Sequence, residues 1–193
     1  MDTCTPCRGP RPHDLGSLNL TSTYNAGVVD EASQYWLVNT TGTGWAQIDL
    51  RPGSGTYGRT VASGTSAAPA YTVQDWAWVP GANGGDALYG LGSQPTVLGG
   101  GTYLMRWSRS AKTWTLAYTY LNLLGTLAGS TASWASVWAG QDGTLFGYDN
   151  GSGLVYSFVL PAAGALNLNL LAANVGAGPK AALSDGARCV RAS

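Results

Sequence analysis

The sequence predicts an all-β fold of the β-propeller class, in which four-stranded antiparallel sheets, called blades, surround an axis. A unit of apolar segments, Gly/Asp turns and aromatic strands occurs three times, with a period of 53 residues from Trp36 to Tyr89 and 57 from Tyr89 to Phe146. Four short strands per period are typical of a propeller blade. Helix-forming charged residues are scarce, since two Lys and one Glu stand beside 28 Gly, 8 Trp and 10 Tyr.

The repeat sets the predicted organisation of the chain. Residues 1–22 form an irregular, Pro-rich leader, and residues 23–193 form the propeller domain. The predicted parts of that domain are blades at about 23–63, 71–120 and 132–175 and a C-terminal segment at 180–193. Because propellers are typically built from four to eight blades, three units leave the ring incomplete. The chain is then a piece of a longer propeller, builds a fourth blade from its termini, or shares a ring with a second chain.

Each unit is predicted to contain four strands, separated by turns. In the first unit they lie at 24–30, 34–38, 45–50 and 56–61, and in the second at 75–80, 87–91, 103–107 and 113–118. The third unit has them at 134–139, 144–148, 154–158 and 166–171. Apolar residues alternate with polar ones, as in a half-buried strand. Residues that tolerate positive φ fall between strands, as in Pro52-Gly53 and Asp142-Gly143.

Charge and hydropathy exclude two classes of partner. Ten basic and ten acidic residues leave a formal net charge of zero, so the chain lacks the electrostatic footprint of a nucleic-acid binder. No apolar run approaches the roughly 18 residues that a membrane span needs. We therefore expect neither nucleic acid nor membrane as a partner.

Three sequons favour an extracellular glycoprotein. They begin at Asn19, Asn39 and Asn150. The scarcity of Lys and the abundance of Ser, Thr and Gly agree with this location, although chance also produces sequons in such a composition. The first twenty residues contain Pro and Arg rather than an apolar core, so no signal peptide is visible in this chain.

The three cysteines lie near the two ends of the chain. One disulfide from Cys189 to either Cys4 or Cys7 is the simplest pairing. A redox pair of Cys4 and Cys7 is an alternative, but the following Pro-rich segment cannot open the helix that such chemistry uses. A zinc set of these cysteines with His13 is a second alternative. We expect no metal and no cofactor.

The catalytic candidates are carboxylates. His13 is the only histidine and lies in the leader, and neither a G-x-S-x-G turn nor a phosphate-binding glycine loop is present. Asp30 or Glu31, Asp75 and Asp142 lie at comparable ends of successive units, and a pair of them would suit a glycosidase-like enzyme. The alternative is that they accept hydrogen bonds in turns and at strand starts.

Aromatic residues are the binding candidates. Indole faces stack on sugar rings while carboxylates accept hydrogen bonds from hydroxyl groups, so Trp76, Trp134 and Asp75 are predicted ligand contacts. Packing between blades is the alternative role for the tryptophans. The sequence therefore favours a module that recognises carbohydrate, in glycans or cell walls, over a glycosidase-like enzyme or a purely structural protein.

Several segments resemble a family of fungal secreted β-propeller domains, with repeats of the YVTN or WD kind, that is known mainly as a domain of unknown function. These are Tyr24–Gly27 with Asp30, Gln34–Trp36, Asp75–Gly81, Leu88–Leu91, Tyr103–Trp107 and the terminal Asp185–Cys189. The resemblance covers residues 24 to 189. It implies further blades on the N-terminal side, where residues 1–22 show no recognisable blade, and an N-terminal Cys that pairs with the terminal one. It transfers no activity to any residue.

Overall fold

The computed structural model describes residues 23–94, 101–121, 132–162 and 172–180. Sheet 1 contains β1 (Tyr24–Val29), β2 (Gln34–Asn39), β3 (Gly44–Asp49) and β4 (Thr60–Thr65). Sheet 2 contains β5 (Val73–Trp78), β6 (Ala87–Gln94), β7 (Gly101–Ser108) and β8 (Thr113–Leu121). Sheet 3 contains β9 (Trp134–Ala139), β10 (Leu145–Asp149), β11 (Leu154–Phe158) and β12 (Ala172–Ala177).

Every strand pairs in antiparallel fashion with strands that are next to it along the chain. The predicted all-β class and the three four-stranded antiparallel sheets are confirmed. The one helical element in the described ranges is the 3-10 turn Ala82–Gly85. None of the described residues forms a helix long and apolar enough to cross a membrane.

The first strands of the sheets lie side by side, because β5 contacts both β1 and β9. Asn25 Nδ2 donates to Gln74 O at 3.1 Å, and Ser133 Oγ bonds to Gln74 Oε1 at 2.9 Å, so the starts of these strands are neighbours. The turns after β5 and β9 also meet, since a Cβ built on Gly143 would lie 3.1 Å from Pro80 O. β5 and β9 therefore run in the same direction, an arrangement consistent with a propeller.

Five tryptophans fill the space between sheets 1 and 2. These five, which we call the tryptophan cluster, are Trp36, Trp45, Trp76, Trp107 and Trp114, and Trp78 packs against the same core. Its neighbouring ring centroids are 5.3 to 6.3 Å apart. The ammonium group of Lys112 lies 4.6 Å from the Trp36 ring centroid, so a cation covers one side of the cluster.

A second core joins sheets 2 and 3. Tyr89, Leu91 and Leu104 of sheet 2 pack with Trp134 and Phe158 of sheet 3. The Trp134 ring meets the Phe158 ring edge to face at 5.3 Å. Sheet 2 thus lies between two apolar interfaces and links the other two sheets.

The fourth strands of sheets 1 and 3 differ from the prediction. In sheet 1 the strand is Thr60–Thr65 rather than 56–61, because residues 54–58 form turns around Asp49. In sheet 3 the predicted strand 166–171 lies outside the described residues, and β12 pairs with β11 instead. Its sequence, AANVGA, lacks the apolar alternation that would reveal a strand, so the pairing depends on backbone hydrogen bonds.

The buried carboxylate of Asp49 organises the loop between β3 and β4. It accepts hydrogen bonds from Arg51 Nε at 2.8 Å and from the hydroxyls of Ser54 and Thr56, each at 2.6 Å. Gln34 Nε2 donates to the same carboxylate at 3.2 Å. These hydrogen bonds, of which the one from Arg51 has the largest effect, hold the pKa of Asp49 well below its usual range.

We expect Asp49→Asn to weaken the acid sensitivity of the fold. The pKa of Asp49 is lower in the folded than in the unfolded chain, so its stabilising contribution is complete above the ordinary carboxyl pKa of 3.8 and is lost as the pH falls below it. Urea unfolding at several pH values measures the effect. The wild type should lose more stability than the variant as the pH falls below about 4. Equal losses would contradict this role.

Candidate functional site

A cleft of about 610 Å³ lies between sheets 2 and 3, at the end where the turns after β5 and β9 meet. Residues 80–82 form one wall, residues 142–144 a second, and residues 157–162 the third. Its volume is in the usual range for small-molecule sites. The cleft therefore has the size of a ligand-binding site and is lined mainly by turns and loops at one end of sheets 2 and 3.

Asp142 is held at the mouth of this cleft by its own turn. Its Oδ1 accepts from the Thr144 amide at 3.0 Å, and its Oδ2 accepts from the Thr144 hydroxyl at 2.9 Å. Gly143 has φ of 82°, a left-handed conformation that favours glycine. Asp, Gly and Thr in this order thus fix a carboxylate beside the cleft.

The carboxylate of Asp142 is charged at neutral pH. The hydrogen bonds from the backbone and then the side chain of Thr144 lower its pKa below the ordinary value. A charged carboxylate accepts hydrogen bonds and does not donate a proton. Asp142 is thus suited to bind hydroxyl or amide donors and unsuited to act as a general acid.

The remaining walls combine hydroxyl groups with apolar surface. Ser157 and Thr144 contribute hydroxyls, and Pro80 and Val159 contribute apolar surface. Val159 is 55% exposed, so part of this surface is open to solvent. A ligand with both hydroxyl groups and C–H surface fits this lining.

A smaller cleft of about 350 Å³ lies between sheets 1 and 2, beside Asp30 and Arg109. Arg109 Nη1 forms an ion pair with Asp30, and its Nη2 lies 2.7 Å from Glu31 Oε1. Asp86 accepts from the Ser108 hydroxyl at 2.7 Å. Arg109, in the turn after β7, thus joins sheet 2 to sheet 1 through its ion pairs with Asp30 and Glu31.

Asp30, the first carboxylate that the sequence marked as catalytic, is buried in this junction. Its Oδ1 accepts from the amides of Ala32 and Gln34, each at 2.9 Å, and its Oδ2 accepts from Trp36 Nε1 at 2.8 Å. Together with the ion pair to Arg109, these contacts surround the carboxylate. The structure favours a structural role for Asp30.

Asp75, the second carboxylate, is 1% exposed. Its Oδ1 accepts from the Trp76 amide at 2.8 Å, and its Oδ2 accepts from the amide of Val137, in β9, at 2.6 Å. The carboxylate therefore connects the first strands of sheets 2 and 3. Asp30, Asp75 and Asp142 lie in three different environments rather than at one catalytic centre.

The two tryptophans proposed as ligand contacts are buried. Trp76 is 0% exposed in the tryptophan cluster, and its Nε1 donates to Trp36 O at 3.3 Å. Trp134 is buried in the core between sheets 2 and 3. Neither presents an indole face to a ligand, so packing between sheets accounts for both. Sequence alternation could not distinguish them from Trp138, which is half-buried in the same strand as Trp134.

The predicted glycosylation sites differ in their surroundings. Asn39 is half-buried, and its Oδ1 accepts from the amides of Thr43 and Gly44, each at 3.0 Å. Asn150 is 5% exposed at the start of the turn after β10. Asn19 lies outside the described residues, as do Cys4, Cys7, Cys189 and His13, so the disulfide and its alternatives stay predictions.

Comparison with known proteins gives the chain no family. No protein-family model matches the sequence, and no curated protein matches it.

Proposed function

We propose that this chain is an extracellular carbohydrate-binding module of the β-propeller type, akin to the fungal secreted family that its sequence resembles. The ligand site is the cleft between sheets 2 and 3. The observation that carries the proposal is the charged carboxylate of Asp142, fixed beside a cleft whose walls combine hydroxyl groups with apolar surface.

The chemistry of the cleft matches that of a sugar. Sugar hydroxyls donate hydrogen bonds to carboxylates, and bonds to a charged acceptor are stronger than bonds between neutral groups. The C–H groups of a sugar ring pack on apolar walls such as Pro80 and Val159. The hydroxyl of Ser157 can both donate and accept, whereas the hydroxyl of Thr144, which donates to Asp142, can accept.

Binding suits this cleft better than hydrolysis does. Glycosidases generally use two carboxyl groups, and the one that protonates the leaving group has a raised pKa. Among the described residues that line the cleft, Asp142 is the single carboxylate, and its pKa is lowered. The glycosidase-like alternative lacks its second group here.

The proposed propeller arrangement accounts for the position of the cleft. The sheets follow one another in chain order with their first strands adjacent, as blades do around an axis. In that arrangement, the turns after the first strands share one face of the molecule. Loops on such a face, held by rigid sheets, commonly bind ligands.

A glycan array identifies the ligand, and titration calorimetry with the best glycan measures its affinity. We expect Asp142→Asn to weaken binding about tenfold, because it removes the charge but keeps an acceptor for the Thr144 amide. The matched control is Asp86→Asn. Asp86 lines the smaller cleft and accepts hydrogen bonds from a hydroxyl, that of Ser108, and an amide, that of Ser110, as Asp142 does from Thr144. Failure of a broad array to show binding, or equal affinities for wild type and Asp142→Asn, would refute the proposal.

A further inference from the structure

Two of the three predicted glycosylation sites occupy equivalent turns. Asn39 lies at the end of β2, where the turn to β3 begins, and Asn150 lies in the turn between β10 and β11. Both turns therefore connect the second and third strands of a sheet. Since N-glycosylation attaches a bulky polar sugar chain to the side-chain nitrogen, the surroundings of Nδ2 decide which site can bear one in the folded protein.

The turn at Asn39 is held by the oxygen of its side chain rather than by the nitrogen. Asn39 Oδ1 accepts hydrogen bonds from the amides of Thr43 and Gly44, each at 3.0 Å, and from the Thr41 hydroxyl at 3.1 Å. Among the described residues, Nδ2 has one hydrogen-bond contact, Thr43 Oγ1 at 3.5 Å, which is long for such a bond. A sugar on Nδ2 thus leaves the bonds that shape the turn in place, because the carbonyl oxygen of a substituted amide still accepts.

The two residues that complete the sequon are open to solvent. Thr40 and Thr41 are exposed, whereas the next residue, Gly42, is buried. The oxygen of Gly42 accepts from Trp114 Nε1 at 2.8 Å, so this part of the turn packs on sheet 2. The part with the two threonines faces solvent and has room for a sugar chain on Asn39.

Asn150 has the opposite surroundings. The residue is 5% exposed, and its amide donates to Ser133 O at 3.1 Å. The carboxylate of Asp149 holds this turn, since it accepts from the amides of Gly151 and Ser152, each at 3.1 Å. A sugar on Nδ2 of Asn150 would force the buried side chain out of its position.

The turn at Asn39 and the proposed ligand cleft lie at opposite ends of the sheets. Asn39 pairs with Tyr24, at the start of β1, and the starts of the three first strands are neighbours. The cleft lies at the other end, beside the turns that follow β5 and β9. A sugar chain on Asn39 therefore leaves the cleft open.

We propose that Asn39 bears an N-linked glycan, that Asn150 stays unmodified in the folded protein, and that the glycan projects from the end of the sheets opposite the cleft. This inference rests on the extracellular location in the proposed function and is independent of the ligand of the cleft. The donor is an oligosaccharide joined through N-acetylglucosamine to a lipid diphosphate. A bond forms between C1 of the sugar and Nδ2, the bond from C1 to the diphosphate oxygen breaks, the lipid diphosphate leaves, and Nδ2 loses one proton.

Mass spectrometry of the full chain, secreted from a eukaryotic host behind an added signal peptide, tests the proposal. An endoglycosidase that leaves one N-acetylglucosamine on each occupied Asn marks the sites by mass. Trypsin places Asn150 in a peptide of its own, and cleavage after Glu31, the single Glu, separates Asn39 from Asn19. We expect the mark on Asn39 and none on Asn150.

Matched variants of the sequon show that the mark belongs to Asn39. Thr41→Ala removes the sequon but keeps the asparagine, so the mark should disappear. Thr41→Ser keeps the hydroxyl and should keep the mark. Thr40→Ala, which changes the exposed residue between the two, is the control and should also keep it.

The outcomes separate this proposal from that of the cleft. A mark on Asn150 of the folded protein, or none on Asn39, would overturn it, and failure of the host to secrete the chain would count against the extracellular location as well. Removal of the glycan should change affinity for the best ligand by less than about twofold. A larger loss would contradict its position opposite the cleft. If Asn39 is marked but no ligand binds, the cleft proposal fails and this one stands.

Discussion

Trp107→Ala should lower the free energy of unfolding by about 3 to 5 kcal/mol, because it removes the central ring of the tryptophan cluster. Trp107 is 0% exposed, and its ring centroid lies 6.3 Å from that of Trp45, 6.0 Å from Trp76 and 5.3 Å from Trp114. The loss is a large part of the roughly 5 to 15 kcal/mol that stabilises a typical domain. Urea unfolding followed by circular dichroism measures it.

Trp138→Ala is the matched control for this experiment. It removes the same side chain from a half-buried position in β9, where the described residues provide a sheet on one side only. We expect a smaller loss, about 1 kcal/mol. Similar losses in the two variants would show that the tryptophan cluster does not hold sheets 1 and 2 together.

Gly147→Ala should also destabilise the fold, by about 1 to 3 kcal/mol, although it adds a single methyl group. A Cβ at this position would lie 2.5 Å from Leu91 Cδ1, 3.0 Å from Trp134 Cε3 and 3.2 Å from Phe158 Cε2. Gly147 therefore allows sheet 3 to approach sheet 2. The thermal midpoint, compared with that of the wild type, reports the effect.

Gly176→Ala provides the control, since it adds the same methyl group to an exposed strand of the same sheet. A Cβ there would be 3.9 Å from Val155 Cβ, an ordinary contact. Alanine also loses less conformational entropy on folding than glycine does. The thermal midpoint of this variant should stay level or rise slightly, and a fall as large as that of Gly147→Ala would argue against close packing at Gly147.

The sequence allowed the number, order and type of the strands to be predicted. Eleven of the predicted strand segments contain or overlap an observed strand, because their aromatic and branched residues alternate with polar ones. The sequence of β12 has no such alternation, because this strand is held by its backbone hydrogen bonds to β11. The strand was missed for that reason. The turns around Asp49 were missed because several side chains converge there only after folding.

The site was less predictable than the fold. Asp142 was identified as a candidate, but composition and spacing gave Asp30 and Asp75 equal standing, and only hydrogen-bond partners separate the three. Regular alternation places Trp134 and Trp138 on the same side of β9, but an irregularity in the pairing between Ser136 and Trp134 puts the two rings on opposite faces of the sheet. Trp134 and Trp138 therefore look alike in the sequence and differ in the structure.

The pairing of each strand with its chain neighbours has a consequence for how the protein forms. Each hairpin closes over a short stretch of chain, so the entropy lost in bringing partners together is small and folding is faster than in sheets with distant pairings. During synthesis, sheet 1 is complete before sheet 2 has been made, and its apolar side toward sheet 2 then stays exposed until β5 and β6 arrive. That side contains Trp36 and Trp45, so an unfinished chain exposes an aggregation-prone apolar surface during this interval.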